Sequence, residues 1–161
     1  MNLSHLNERN QPTMVNVCDK RPTRRAARAR AVVTFPPDVA ARFQDGELVL
    51  PKGPVFQTAI LAGIMGAKQT GNLIPLCHPI GLEDCRIDIR LSEAGHAVIE
   101  CTAEIVHKTG VEMEALTGAS IAALTIYDMC KSLSHDIRIA GIELVEKTGG
   151  KADFHRTEPT D

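Results

Sequence analysis

Acidic and basic side chains lie at the two ends of an otherwise apolar segment, residues 108–131. Glu112 and Glu114 stand near its beginning, and Asp128 and Lys131 stand near its end. Between the two ends the segment has no ionisable side chain apart from one tyrosine. Carboxylates and amines are groups that proteins use to move protons in catalysis. The pattern therefore predicts a helix that is buried along most of its length and carries chemistry at both ends.

A site that uses both ends of this helix needs a second polypeptide chain. Glu114 and Asp128 are fourteen residues apart, which is roughly 21 Å along a helix axis and too far for one small substrate. If two copies of the helix pack antiparallel across a two-fold axis, the Glu112 end of one subunit meets the Asp128 end of the other. We therefore expect a homo-oligomer with sites shared between subunits.

Each of these charged residues also has a purely structural explanation. Thr109 and Glu112 fit the S/T-x-x-E capping box, in which the threonine caps the first turn and the glutamate bonds back to it. Glu114 suits the positive end of the helix dipole, and Asp128 and Lys131 form an ordinary i,i+3 pair. Position on the helix does not decide between the structural and the catalytic explanation.

A cysteine and a histidine lie between two prolines in the segment 74–79, Ile-Pro-Leu-Cys-His-Pro. Imidazole titrates near neutral pH, so His78 on a rigid loop suits acid–base chemistry or a hydrogen bond to a substrate. The alternative is a histidine that caps local backbone. No further pair of residues has the spacing of metal ligands, so we expect no metal site. The five cysteines include no C-x-x-C spacing, which argues against a disulfide framework or an iron–sulfur cluster.

Basic residues in three regions are candidates for binding phosphate. Lys52 directly precedes a predicted helix N-terminus, which favours an anion. Lys147 and Lys151 flank two glycines, an arrangement that fits either a phosphate contact or a solvated turn. Residues 20–30 form the densest basic stretch and make a nucleic-acid-binding protein the main alternative function. Arg25 weakens that alternative, because it falls on the apolar side of its predicted strand, where it points toward a site or a subunit interface.

Length and composition indicate one domain. A chain of 161 residues is long enough for a single core, and a net charge of −2 with a pI near 6.3 predicts no general binding to nucleic acid or membranes. Residues 1–13 and 152–161 are polar and unpatterned, so we expect mobile ends around a catalytic domain at 14–151. The sequence has neither an apolar run of about 18 residues nor a signal-peptide segment, so we expect a cytoplasmic protein.

Hydrophobic periodicity predicts four strands and two main helices. Strands are expected at 25–35, 82–91, 97–106 and 137–145, with a bulge at Gly141 and with Arg28 and Arg30 on a solvated face. Helices are expected at 54–68, with a face of small residues that permits close packing, and at 108–131, with a short helix at 38–43. The order of elements is the split βαβ pattern. We therefore expect a ferredoxin-like α+β fold, an antiparallel sheet with two main helices packed on it.

Three motifs together resemble one protein family. They are P-L-C-H-P at 75–79, K-T-G-V-E-M-E-A-L-T at 108–117 and A-A-L-T-I-Y-D-M-C-K at 122–131. In order and spacing they are similar to the MoaC family, the cyclic pyranopterin monophosphate synthases of molybdenum cofactor biosynthesis. The resemblance implies a phosphorus–oxygen lyase that converts 3′,8-cyclo-7,8-dihydro-GTP, supplied by a separate radical GTP cyclase, into cyclic pyranopterin monophosphate and pyrophosphate. It also implies a homohexamer, a trimer of dimers, with sites at subunit interfaces.

The resemblance also assigns site residues by motif match. It implies a catalytic group that consists of Asp128, Lys131, Lys52 and Glu112. It implies a substrate-binding group that consists of Leu76, Cys77, His78, Met113, Glu114, Lys147 and, by a looser match, Arg25. No protein-bound cofactor is implied, although magnesium could accompany the triphosphate. The resemblance does not say which group is the acid and which the base.

The sequence departs from the family pattern at five positions: Asn16, Cys18, Pro54, His107 and Gly118. Asn16 stands where an aspartate is usual, and Pro54 follows Lys52-Gly53 where an aspartate is expected. These departures concern the N-terminal segment and the loop that carries Lys52, and they leave the charged residues of the long helix intact. The alternatives to a synthase are a family paralogue with an altered substrate and a nucleic-acid-binding protein that uses the basic arm.

Overall fold

The computed structural model describes residues 6–157. The predicted mobile ends, 1–13 and 152–161, extend beyond this range: residues 1–5 and 158–161 lie outside the described residues, and that prediction stays a prediction. The elements in chain order are β1 (Thr23–Thr34), α1 (Pro37–Ala40), β2 (Val49–Leu50), β3 (Gly53–Pro54), α2 (Val55–Lys68), α3 (Thr70–Leu73), β4 (Asp84–Leu91), β5 (Ala97–His107), α4 (Glu112–Cys130), β6 (Arg138–Thr148) and β7 (Phe154–His155).

The main sheet has five strands in the order β4-β5-β1-β6-β7, and every neighbouring pair is antiparallel. The four long strands, with α2 and α4 as the connections between them, form the split βαβ arrangement. This confirms the predicted α+β fold of the ferredoxin-like type. The short strand β7 at the edge of β6, and the separate hairpin β2–β3, were not predicted.

The inner face of β1 consists of small residues beneath α4. Ala27, Ala29, Ala31 and Val33 are fully buried, as the alternation of the sequence predicts. Their short side chains let the long helix lie close to the sheet. The position of α4 is therefore set by close packing over its whole length, which makes the spacing between its two ends rigid.

Helices α2 and α4 approach each other through glycines. A Cβ built on Gly63 would lie 2.8 Å from the carbonyl oxygen of Gly118 and 2.3 Å from Cδ1 of Ile87. A Cβ on Gly118 would lie 2.6 Å from Sγ of Cys101. The predicted small-residue face of α2 is confirmed, and the unusual glycine at position 118 is explained by the close contact on both sides of it.

Strand β6 contains two bulges. The first leaves Ala140 without a partner opposite β1, one residue before the predicted Gly141. The second, which was not predicted, leaves Val145 as the extra residue. A bulge changes which face the following residues occupy. After the second bulge, Lys147 lies opposite the buried Ala27, on the side of the sheet that carries the helices.

Candidate functional site

A cavity of about 1000 Å³ lies where the start of β1, the start of α4 and the segment after β6 meet. Eight of the eleven predicted site residues line it: Arg25, Leu76, Cys77, His78, Glu112, Met113, Glu114 and Lys147. The other three are Lys52, Asp128 and Lys131, which lie near the far end of α4. The structure thus separates the predicted residues into two groups, which we call the cavity group and the Asp128 group.

The first turn of α4 supplies two carboxyl groups to the cavity. Glu114 is only 4% exposed, and burial, together with the nearby charge of Glu112, raises its pKa to about 6. Burial also raises the pKa of the Cys77 thiol, to which the charge of Glu114 adds. Glu112 is less buried and forms an ion pair with Lys147, with 2.9 Å between Oε1 and Nζ. The cavity therefore holds one carboxyl group that readily keeps its proton beside one that is paired with an amine.

The capping box, left open by the sequence as a structural explanation of Glu112, does not form at the start of α4. The helix begins at Glu112, and its N-cap is Val111, whose side chain makes no capping hydrogen bond. Thr109 lies before the cap, where its hydroxyl contacts Nδ1 of His107 at 3.1 Å. Glu112 does not bond back to Thr109 because its carboxylate is engaged by Lys147, 35 positions further along the sequence.

Arg25 enters the cavity from β1, as the strand phase predicts. One Nη2–H donates to the carbonyl oxygen of Lys108 at 3.4 Å, and its buried Nε has no hydrogen-bond partner among residues 6–157. A buried guanidinium N–H without a partner is costly unless a ligand satisfies it. Arg25 is therefore suited to bind an anionic or carbonyl-bearing group of a substrate.

His78 bonds to backbone, but not locally. Its Nε2 lies 2.8 Å from the carbonyl oxygen of Val15, 63 positions earlier in the chain. Because a carbonyl oxygen only accepts, Nε2 carries the proton, and Nδ1 is the acceptor in the neutral ring. The histidine thereby holds the N-terminal segment against the cavity.

Several cavity residues were not among the predicted site residues. Further basic groups line it: Lys20, Arg21, Lys108 and Lys151. Lys108 opens one of the family-like motifs, which was an available signal. Its Nζ donates to the carbonyl oxygen of Cys18 at 2.8 Å, which fixes a second part of the N-terminal segment. The remaining wall is formed by residues 149–154, and the positive φ of Gly149 lets that turn pass close to the backbone of Arg24.

The Asp128 group is an exposed triad at the end of α4. Lys131 Nζ lies 2.7 Å from Oδ1 of Asp128, and Lys52 Nζ lies 3.4 Å from Oδ2. Lys131, followed by Lys52, holds the pKa of Asp128 below its usual range, and Asp128 raises the pKa of Lys131. All three side chains are more than half exposed. The group is thus one carboxylate between two amines, and it is open to solvent.

The basic arm of β1 is neutralised by carboxylates of neighbouring strands. Arg28 pairs with Glu100 at 3.2 Å and with Glu146 at 3.1 Å, and Arg30 pairs with Glu100 at 3.2 Å. Both arginines are half-buried, so the prediction of a solvated face for them is wrong. Cross-strand carboxylates in register account for the difference. Paired in this way, the arm is poorly suited to bind a phosphate backbone.

The sequence predicts neither a metal site nor a membrane span. Among residues 6–157, no three side chains of histidine, cysteine, aspartate or glutamate are grouped so that they could hold a metal ion. Within the same range, no helix is both long and apolar enough to cross a membrane.

Comparison with known proteins agrees with the motifs. The model of the MoaC family matches residues 14–150. A cyclic pyranopterin monophosphate synthase of Xanthomonas campestris pv. campestris (strain B100) is 51% identical over 152 residues, which cover 94% of this chain and 92% of that protein. A protein of the same name from Pelobacter propionicus is 46% identical and covers 98% of both chains. A molybdenum cofactor biosynthesis bifunctional protein of Synechocystis sp. is 46% identical, and 46% of its length is covered.

Proposed function

The chain belongs to the MoaC family, and on that premise we propose that it acts as a cyclic pyranopterin monophosphate synthase, a lyase of molybdenum cofactor biosynthesis. The substrate that we propose is 3′,8-cyclo-7,8-dihydro-GTP, a GTP-derived small molecule handed over by a radical cyclase. The products are cyclic pyranopterin monophosphate and pyrophosphate. The full-length similarity to proteins that carry the synthase name supports this function over a nucleic-acid-binding role.

One observation carries the proposal further than the similarity alone: the cavity combines carboxyl groups with an excess of basic groups. Glu112 and Glu114 can exchange protons with the ring system of a substrate. Arg25, Lys147 and the lysines and arginine around them face the same space. Groups of this kind stabilise the negative charge that develops when pyrophosphate leaves. A nucleotide triphosphate suits this cavity, because its ring system would meet the carboxyl groups and its phosphates would meet the basic groups.

The carboxyl groups of the two half-sites suit opposite roles. Glu114, with its pKa raised to about 6 by burial, is partly protonated near neutral pH and suits a proton donor. Asp128, with its pKa held low by Lys131 and Lys52, is ionised and suits a proton acceptor or an electrostatic partner of a cationic intermediate. His78 lines the same cavity and bonds through Nε2 to the backbone of Val15. We propose this division of roles for the rearrangement of the ring.

We further propose that the complete site forms between two copies of the chain. The cavity group and the Asp128 group lie at opposite ends of α4, a helix of 19 residues. At about 1.5 Å per residue, this separates them by more than 20 Å. The exposed large apolar side chains on α2 and α4 include Leu61 at 65%, Met65 at 63% and Leu124 at 54%. An apolar helix layer of this kind suits an interface between subunits. A hexamer built from such dimers is the proposed assembly.

Two other properties belong to the proposal. The acidic pI and the similarity to biosynthetic enzymes support a cytoplasmic location. Magnesium, if it takes part, would arrive with the triphosphate, because the carboxylates of the cavity are those needed for proton transfer.

The direct test is turnover of cyclic dihydro-GTP under anaerobic conditions, measured as pyrophosphate and pterin product. We expect the unsubstituted protein to form both products and Asp128→Asn to lose at least about 100-fold in kcat, as removal of a group that acts in the transition state does. Asp88→Asn, an exposed change on β4, is the matched control and should keep full activity. Absence of product from a folded, oligomeric protein would indicate a paralogue with a different substrate.

A further inference from the structure

The carboxylate of Glu47 accepts three backbone N–H groups on two sides of a hairpin. Oε1 accepts from Leu48 at 2.8 Å and from Phe56 at 2.9 Å, and Oε2 accepts from Gln57 at 3.1 Å. The hairpin β2–β3 lies between the first donor and the other two, and Lys52 is in its turn. One side chain therefore ties together the start and the end of the loop that carries Lys52.

Glu47 supplies the hydrogen-bond acceptor that the N-cap residue of α2 lacks. Helix α2 begins at Val55, so Phe56 and Gln57 provide two of the N–H groups that an N-cap side chain normally satisfies. The N-cap residue is Pro54, whose side chain has no acceptor atom. A carboxylate is the most favourable partner at this end, because it also meets the positive pole of the helix dipole.

The position of Glu47 is itself fixed by a tight turn. Its carbonyl oxygen accepts the N–H of Gln44 at 2.8 Å, and its own N–H donates to the carbonyl oxygen of Gln44 at 3.0 Å. Asp45 and Gly46 between them have φ values of 51° and 79°. This turn places the glutamate side chain over the end of the hairpin with little freedom.

Lys52 needs such a support, because its visible partner does not hold it. Its amine lies 3.4 Å from Asp128 Oδ2, and the two side chains are 58% and 57% exposed. Ion pairs this exposed contribute little to fixing either side chain, since water competes for both. The backbone of the hairpin fixes the point from which the Lys52 side chain extends toward Asp128. The contacts that hold the backbone of this hairpin therefore determine where Lys52 meets the substrate.

We propose that Glu47 is a positioning residue that holds Lys52 in its catalytic orientation at the Asp128 group. This inference rests on the proposed function, because it assumes that Lys52 acts on the substrate. Besides capping α2, Glu47 is thereby assigned an effect on catalysis that passes through Lys52.

A double-mutant cycle tests this role. We expect Glu47→Gln to lower kcat/KM about tenfold, less than the roughly 100-fold that a 1 Å displacement can cost. In a Lys52→Met background the same change should alter kcat/KM by less than about twofold, because the residue through which it acts is gone. Glu93→Gln, an exposed change in the turn between β4 and β5, is the control and should leave kcat/KM unchanged in both backgrounds.

Amide hydrogen exchange provides a readout that does not depend on turnover. Glu47→Gln should speed exchange at Leu48, Phe56 and Gln57 while the thermal transition stays cooperative. An undiminished loss of kcat/KM in the Lys52→Met background, or no loss in the single variant, overturns the proposal. If the unsubstituted protein forms no product, the proposed function fails. The exchange rates at these amides then decide separately whether Glu47 holds the hairpin.

Discussion

At the scale of single residues, the same type of group has opposite properties at the two ends of α4. Glu114 is buried beside a second carboxyl group, and both circumstances favour its protonated form. Asp128 is exposed between two lysines, and both amines favour its charged form. In the sequence, Glu114 and Asp128 are simply two of the acidic residues on one helix. Their environments separate them into a candidate proton donor and a candidate proton acceptor.

The raised pKa of Glu114 has a measurable effect on stability. A pKa that folding raises from 4.5 to about 6 contributes stability that is fully present below pH 4.5 and is lost as the pH rises through 6. Glu114→Gln removes this titration. We expect the variant to gain up to about 2 kcal/mol relative to the unsubstituted protein between pH 4.5 and pH 7.5.

Urea unfolding at fixed protein concentration across that pH range measures the effect, because oligomerisation makes stability depend on concentration. Glu93→Gln, a change of the same chemistry at an exposed position, should leave a constant difference from the unsubstituted protein. Parallel curves for Glu114→Gln and the unsubstituted protein would show that Glu114 is not the buried acid described above.

At the scale of elements, the site depends on how closely α4 packs against α2 and on the phase of β6. Gly63 on α2 faces Gly118 on α4, and the two backbones approach too closely for a Cβ. The second bulge of β6 brings Lys147 to the side of Glu112. The close packing of the two helices and the bulge of β6 thus fix the positions of charged residues of the site.

Gly63→Ala should destabilise the protein by about 2 kcal/mol, because overpacking outweighs the gain of roughly 1 kcal/mol in helix propensity. The added methyl group would meet the backbone oxygen of Gly118, which cannot rotate away as a side chain can. Gly81→Ala is the matched control, since no described atom lies within 4 Å of its Cβ position. Chemical denaturation of both variants checks the comparison, and equal stability of the two would contradict tight packing at Gly63.

At the scale of the whole molecule, the chain carries two separate groups of charged residues, which we propose are two halves of one site. The cavity group has carboxyl and basic groups around an enclosed space, and the Asp128 group is an exposed triad at the opposite end of α4. Exposed apolar residues lie on the same two helices. The assembly that we propose, a second copy of the chain packed against the helix layer, would account for these features together.

Subunits that carry different substitutions should therefore complement one another. Asp128→Asn and Glu112→Gln proteins should each be nearly inactive. Oligomers mixed in equal amounts should regain about one quarter of full activity, because symmetric pairing leaves some sites with two unsubstituted halves. Assays before and after denaturation and reassembly of the mixture measure this. Mixed oligomers that form and stay inactive would show that both groups come from one chain.

The sequence by itself determined the order of the four long strands and the two main helices, the buried face of β1 and the small-residue face of α2. Each of these depends on periodicity or residue size within one segment, and such patterns survive in any environment. It also determined that one chain cannot bring Glu114 and Asp128 together, because helix rise is a constant of the backbone. The motifs that resemble the MoaC family selected the site residues, and eight of the eleven line one cavity.

Only the tertiary structure decided what those residues contact. The bulge at Val145, the ion pair between Glu112 and Lys147, and the use of Glu47 in place of a capping residue at Pro54 all join parts of the chain that are not neighbours in a helix or turn. The capping box failed for this reason: a local pattern predicted one partner for Glu112, and a distant amine competed successfully. Tertiary packing decides which of two possible partners a side chain contacts. No single segment of the sequence contains both of these partners.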